Sequence, residues 1–432
     1  MRWEVGEDFI FRTRWRGRAA VALFVAWTTP AIAGLSLDEA LARDRAFSEG
    51  LRQGRSVLTP LSLESDVADG LTFGVGGPGN DVPSLLRPQL RGDGGAQLRA
   101  GSSVLDGRVQ LRFGAAWWPG ADHPYSFDES SISSGLGPGR VYASVERRHW
   151  GPAWSNSLIL DSGARPVPAV GWRKTDPRPF QTWLLSWLGP WNADFFAGEL
   201  AQRSGPRHAR LLGARFQFMP IKNLELGISR TAQWGGSGRP ESLKSFGKAL
   251  LSIGDNVDSG DTSQEPGNQL AGFDARYTLR FSSTHSASVY IQAIGEDEAG
   301  YRPSHYLGTV GADTAFRLGG ASLRVFVEYA NTACSGLFKQ PLPGCAYVHH
   351  IYTDGYTQLG DPLGHPAGGD VRLTSVGAYL VRGAWSGALL LHHGSAYPTS
   401  TLYGKSGGLD GVNAELAWQL TTASRLGAAL FY

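Results

Sequence analysis

Residues 272–281 read GFDARYTLRF, and the order of these ten residues decides the fold class. Phe273, Ala275, Tyr277, Leu279 and Phe281 occupy one side of an extended chain. Asp274, Arg276, Thr278 and Arg280 occupy the other. A repeat of two is the strand period, since successive side chains of an extended backbone point to opposite faces. The same alternation recurs in Val109, Leu111 and Phe113, in Val141, Ala143 and Val145, and in Leu212, Ala214, Phe216 and Phe218. It continues through Leu224, Leu226 and Ile228, then Val289, Ile291 and Ala293, then Leu323, Val325, Val327 and Tyr329, and finally Leu416, Trp418 and Leu420. Counting weaker runs, about sixteen to eighteen strands are expected, broken by glycine, proline or asparagine.

The polar faces choose between a soluble sandwich and a membrane barrel. They carry Arg215, Gln217, Glu225, Asp274, Arg276, Arg280, Gln292, Arg324, Glu328, Asn413, Glu415 and Gln419 in mid-strand. An outward apolar band around a polar lumen gives both faces a home and leaves no unpaired edge in lipid. The expectation is therefore an all-β, closed antiparallel transmembrane β-barrel over residues 96–432. No long apolar run competes as a membrane helix. The end of the chain, LGAALFY, keeps alternating through Leu426, Ala428, Leu430 and Tyr432, an ending common in Gram-negative outer-membrane barrels. Trp117, Trp118, Trp172, Trp183, Trp187 and Trp191 lie near expected strand ends and suit an interfacial aromatic girdle.

Composition agrees. The 432 residues include 58 glycines, 14 tryptophans and 14 tyrosines against two methionines and two cysteines, a usage of turns and aromatic surfaces. At the N-terminus, Arg12, Arg14, Arg16 and Arg18 precede AAVALFVAW (19–27) and the small residues Ala31 and Ala33. This reads as a secretory signal peptide, residues 1–33; its apolar run is too short for a membrane anchor. The expected cleavage after Ala33 removes more base than acid and leaves the mature chain near neutrality, which argues against nucleic-acid binding by bulk charge.

Export makes a disulfide between Cys334 and Cys345 the favoured reading of the two cysteines, across a segment holding Pro341, Pro343 and Gly344. No metal-ligand set or cofactor motif accompanies them. Between leader and barrel, residues 34–95 are expected to form a short helical periplasmic segment and a linker. Ser36 and Glu39 make a capping box there, with Leu37, Ala40 and Leu41 on one side. The stretch from Trp234 to Asn268 reads as a long polar loop with a short helix over 241–251 and an acidic run, Asp255, Asp258, Asp261 and Glu265. Its glycines and lysines match neither a phosphate-binding loop nor a dinucleotide fingerprint.

Four longer segments carry a resemblance: WGPAWSNSLILDSGARPVPAV (150–170), RTAQWGGSGRPESLKSFGKALL (230–251), EPGNQLAGFDARY (265–277) and YTDGYTQLGDPLGHPAGGD (352–370). They closely resemble the capsule assembly protein Wzi family, from about residue 95 onward. The resemblance implies an eighteen-stranded outer-membrane barrel with a helical periplasmic part. It also implies a lectin-like role in holding exported capsular polysaccharide on the cell, and neither an enzyme nor the export channel. The single convincing N-terminal helix departs from the helical bundle of the family. Family-like residues are Trp150, Gly151, Pro152 and Arg165; Gln233, Gly235, Gly236, Gly238, Arg239, Pro240, Lys244 and Phe246; and Asp354, Gly355, Gly364, His365, Gly369 and Asp370. The glycines are expected to shape loops.

For polysaccharide binding the candidates are Arg239, Lys244 and Lys248, which can donate charge-assisted hydrogen bonds to an acidic glycan. Trp234, Tyr352 and Tyr356 are candidates for stacking on sugar rings. The alternative for the cations is pairing with the acidic run or with lumen carboxylates. Three functional classes remain. A polysaccharide-binding, monomeric protein of the outer membrane is the leading one, a porin for small solutes the second, and a membrane hydrolase the third. The histidines His149, His349, His350, His392 and His393 form no recognisable catalytic motif with a serine or carboxylate pair.

Overall fold

The computed structural model describes residues 20–28, 35, 37–53, 58–61, 70–76, 94–117, 119, 123–174, 176–251, 267–299, 302–334, 343–421 and 424–431. Nineteen strands pair into one sheet. Tyr125–Ser126 and Ser131–Leu136 both lie beside Val109–Trp117, so these nineteen strands fill eighteen positions. The pairings run through Ala20–Thr28, bonded to Gly70–Gly76 on one side and Ser424–Phe431 on the other, and close the ring.

Ala20–Thr28 is the apolar core of the expected leader; residues 1–19 and 29–34 lie outside the described residues. It runs parallel to both neighbours, whereas every other described pair in the ring is antiparallel. The strand is thus an insertion into an antiparallel meander, and it is the strand that cleavage after Ala33 would remove.

The residues that announced the fold behave as alternation requires. Within Gly267–Arg280, Phe273, Tyr277 and Leu279 are exposed on the outside while Asp274 and Arg276 are buried inside. Phe273 faces Ile228 and Ala293 on its two neighbours, so apolar outer positions line up around the wall. Arg215, Gln217, Glu225, Gln292, Arg324, Glu328, Asn413 and Glu415 are likewise buried in the lumen; Gln419, near a strand end, is exposed.

The two ends of the barrel differ. At one end the chain returns in tight connections such as 222–223, 319–320 and 383–384. At the other it makes long excursions, 145–168, 235–266 and 332–370. Outer-membrane barrels of this pattern put short turns in the periplasm and long loops outside.

Two helices complete the described fold. Helix α1 (Leu37–Arg52) matches the expected N-terminal helix, though Ser36 lies outside the described residues. Its apolar side, with Leu37 and Ala40 buried, joins the core formed by Trp154, Tyr290, Phe326 and Tyr379. The helix is therefore a plug inside the turn end. Helix α2 (Leu243–Leu251) falls where the loop helix was expected, and Ser242 caps it by accepting the Ser245 N–H at 3.1 Å. Cys334 and Cys345 form the expected disulfide, with Cα atoms 6.1 Å apart.

Candidate functional site

The lumen is built around residues 145–168, which leave the wall and turn inward instead of arching over the rim. A loop buried this deeply must find partners for its backbone. Mid-strand polar side chains provide them. Gln292 accepts the Leu158 N–H at 2.8 Å and donates to the Trp150 carbonyl at 2.6 Å. Glu328 accepts the Ser155 N–H at 2.9 Å and the Tyr290 hydroxyl at 2.7 Å, and also the Trp154 N–H. Trp154 donates its indole N–H to Asp313 at 3.2 Å, and Thr309 donates to Asn156 at 2.9 Å.

Helix α1 grips the same segment from the other side. Arg43 donates to the carbonyls of Pro152 at 2.6 Å and Ala153 at 2.7 Å, with its guanidinium over the Trp154 ring. Burial, followed by the charge of Arg276, lowers its pKa to about 10, so it remains cationic at neutral pH. Arg147 pairs with Glu39, and Arg324 bridges Asp313 and Asp44. A lumen cavity of about 30 Å³ beside Phe47 and Arg276 holds no more than a water or two. Among the described residues, helix and inward loop thus occupy the lumen together.

The loop end repeats the theme with the family-like residues. Trp150 is fully buried and meets Phe196 edge to face at 5.5 Å. The Asp161 N–H bonds the Leu363 carbonyl at 2.7 Å, joining the inward loop to 332–370. Arg165 donates to Asp128 at 3.1 Å and its N–H meets Asp361. Gln233 donates to the Gly355 carbonyl at 3.1 Å and accepts from Asn268 at 2.8 Å. Asp354 accepts the Ser204 N–H at 2.9 Å, and Asp370 accepts the Gly344 N–H at 2.8 Å. The His365 N–H donates to the Tyr347 hydroxyl at 3.0 Å. Burial, with His392 nearby, lowers the His365 imidazole to about 3, which keeps it neutral.

Glycine is required where these loops touch. Gly355 has a φ of +70°, and a Cβ there would lie 2.4 Å from the Tyr347 carbonyl oxygen. Gly364 and Gly369 lie equally tightly against Tyr347 and Ala346.

The six candidates for polysaccharide contact separate. Tyr352 and Tyr356 are fully buried, so neither presents a ring face to a sugar. Tyr356 donates to the Ile159 carbonyl at 2.9 Å and Tyr352 to the Gly235 carbonyl at 3.2 Å, and both act as struts between loops. Burial pushes the Tyr352 hydroxyl up to about 12, against the lowering charge and hydrogen bond of Arg239. Trp234 is half-buried; it packs on Phe246 of α2 at 5.5 Å and donates to Ser245 at 3.2 Å.

The turn Gly235–Gly236–Ser237–Gly238 carries positive φ at all three glycines, and Glu241 holds the Gly236 N–H at 2.9 Å. Arg239, half-buried, emerges next to it, followed by the exposed Pro240 and Lys244. Lys248 belongs to α2, but its side chain lies outside what is described, as does the acidic run in 252–266. The structure thus brings Arg239 and Lys244 to the loop end together with Trp234.

Sequence reasoning did not single out Arg43 and Glu328 as anchors of the inward loop. An arginine within the predicted amphipathic helix was the available signal for Arg43. Glu328 stood among a dozen mid-strand polar residues, with nothing local to mark its partner.

Fold and site define an outer-membrane β-barrel whose lumen is filled by its own helix and loops. Residues 93–379 match the family model of the capsule assembly protein Wzi, and the chain belongs to that family. A curated relative from Klebsiella pneumoniae, described as an uncharacterized 55.8 kDa protein in the cps region, is 38% identical over 183 residues. That match spans 42% of this chain and 36% of the relative. Among solved structures, the Escherichia coli outer-membrane protein Wzi, described as a carbohydrate-binding β-barrel involved in group 1 capsule assembly, superposes with a TM-score of 0.72. The two are 24% identical, and the match covers 94% of this chain and 95% of the other, which establishes the shared fold.

Proposed function

We propose that this protein binds capsular polysaccharide at the loop end of the barrel and holds it at the cell surface, acting by binding alone. The observation that carries this reading is the construction of the loop end. Buried family residues, Gln233, Gly355 and Tyr352, fix the 235–239 turn from beneath, with Arg239 half-buried beside Tyr352 and Lys244 exposed. Cations held on a rigid scaffold suit the carboxylates of an acidic glycan, with guanidinium able to bind two oxygens at once. Trp234, packed on α2 beside them, offers its remaining face.

A lumen occupied by helix α1 and the inward loop favours this role over a porin, which needs a water-filled channel. A hydrolytic role lacks support as well. His149 is fully buried, 3.2 Å from Asp161, with its other nitrogen 2.9 Å from the Ala153 carbonyl. His365 is buried and neutral.

The test is binding of purified capsular polysaccharide, immobilised on a sensor surface, to the detergent-solubilised protein. The double variant Arg239→Ala with Lys244→Ala is expected to lose about tenfold or more in affinity at low salt while keeping the heat-modifiable gel shift of a folded barrel. Equal binding by both proteins would show that these cations serve only the fold.

A further inference from the structure

The wall of the barrel is unusually low on one side. Ser131–Leu136, Gly139–Ser144 and Ala169–Lys174 have six residues each, whereas Arg302–Leu318 has 17. Six tilted residues rise about 14 Å, short of the apolar band of about 25 Å.

The cause is the inward loop. The last contacts of the sheet here are Val145 N–H to the Ser130 carbonyl and Glu129 N–H to the Val145 carbonyl. Beyond them the chain dives toward Arg147 and Trp150, both buried, and returns only at Val167. The outer surface is therefore dented where the chain leaves the wall.

The dent is a cleft of about 860 Å³. Ala100, Ala143 and Ala197 form its floor on the outward side of their strands, and Phe113, Ile132 and Val170 stand around them, exposed. Ser102, Arg112, Ser130 and Ser131 add polar groups to a lining that is otherwise mostly apolar. A hydrocarbon chain in such a concavity touches protein on several sides, gaining dispersion contacts that a convex wall does not offer.

At the loop end the cleft is bounded by Glu199 and Arg210, which pair with each other; Glu199 also meets His208 at 2.7 Å. Arg210 also lies 3.9 Å from Glu241, so this rim holds one arginine between two carboxylates.

We infer that this cleft is a lipid-binding site, taking an acyl chain of an outer-leaflet lipid. It is continuous with the lipid-facing band, and Arg210 at its loop end lies opposite Trp234 in the sheet.

Native mass spectrometry of the full-length protein, after detergent exchange and addition of bis-phosphorylated lipid A, tests the inference. The wild type should retain one lipid molecule. Ala143→Trp and Ala197→Trp fill the cleft from its floor and should reduce retention about tenfold. Ala378→Trp, on the outward face between Val376 and Leu380 on a distant part of the wall, should retain lipid as the wild type does. Each variant is checked for its folded gel shift, and the two floor variants replace one another if either fails. Equal retention by the floor variants and the wild type, or equal loss in Ala378→Trp, would overturn the site.

Discussion

Arg324 and Asp44 lie 2.6 Å apart across 280 residues of sequence, and this bridge fastens helix α1 to the barrel wall. Arg324 also holds Asp313, so removing Asp44 leaves the guanidinium paired but takes away one anchor of the helix. Asp44→Ala is expected to cost the docked helix about 1–3 kcal/mol, the range for a lost hydrogen bond to a charged group. Hydrogen exchange should show it as faster exchange in residues 37–52, by roughly tenfold, with strand amides unchanged. Unchanged exchange in the helix would mean that packing around Leu37 and Ala40 holds it without the bridge.

The second prediction concerns Glu328. Its carboxylate satisfies two consecutive backbone N–H groups of the inward loop and a buried tyrosine, so Glu328→Ala strands several buried donors at once. The cost is about 3–5 kcal/mol, as for a buried charge network that loses one partner. Residues 150–160 should then loosen, and ion conductance in planar bilayers should rise above that of the wild type. A silent Glu328→Ala would contradict the idea that this loop is the main obstruction.

Acid should weaken the loop end through His365. Its folded-state pKa, about 3, lies below the ordinary value of 6.5, so the unfolded chain binds the extra proton first. The stabilisation is complete above about pH 6.5 and declines by about 1.4 kcal/mol per unit as pH falls from there toward 3. Limited proteolysis of the loops across this window should show the wild type becoming more susceptible. His365→Gln should flatten the pH dependence while lowering protection at neutral pH. A wild type equally resistant at pH 4 and pH 7 would contradict the assignment.

Much of the barrel was legible because alternation is a local signal. Phe273 and Asp274 declare opposite faces whichever strands lie beside them, and the two glycine-rich motifs declared tight loops. What fills the lumen was not legible. The pairing of Glu328 with Ser155, or of Arg43 with Pro152, joins residues more than a hundred positions apart, and nothing in either neighbourhood names the other. The same blindness misassigned Tyr352 and Tyr356. Aromatics in a polar loop suggested sugar contact, but each hydroxyl finds a partner on another loop and each ring is covered. Arg239 was weighed against an acidic run outside the described residues; among the partners that are described is Tyr352.

The most direct test of the central claim is the partition of capsular polysaccharide between cells and medium in a deletion strain, with the wild type or the Arg239→Ala, Lys244→Ala variant returned on a plasmid. A surface-attachment protein predicts unchanged total polymer, most of it shed without the protein, retention restored by the wild type and not by the variant. Unchanged partition in the deletion strain would contradict the account.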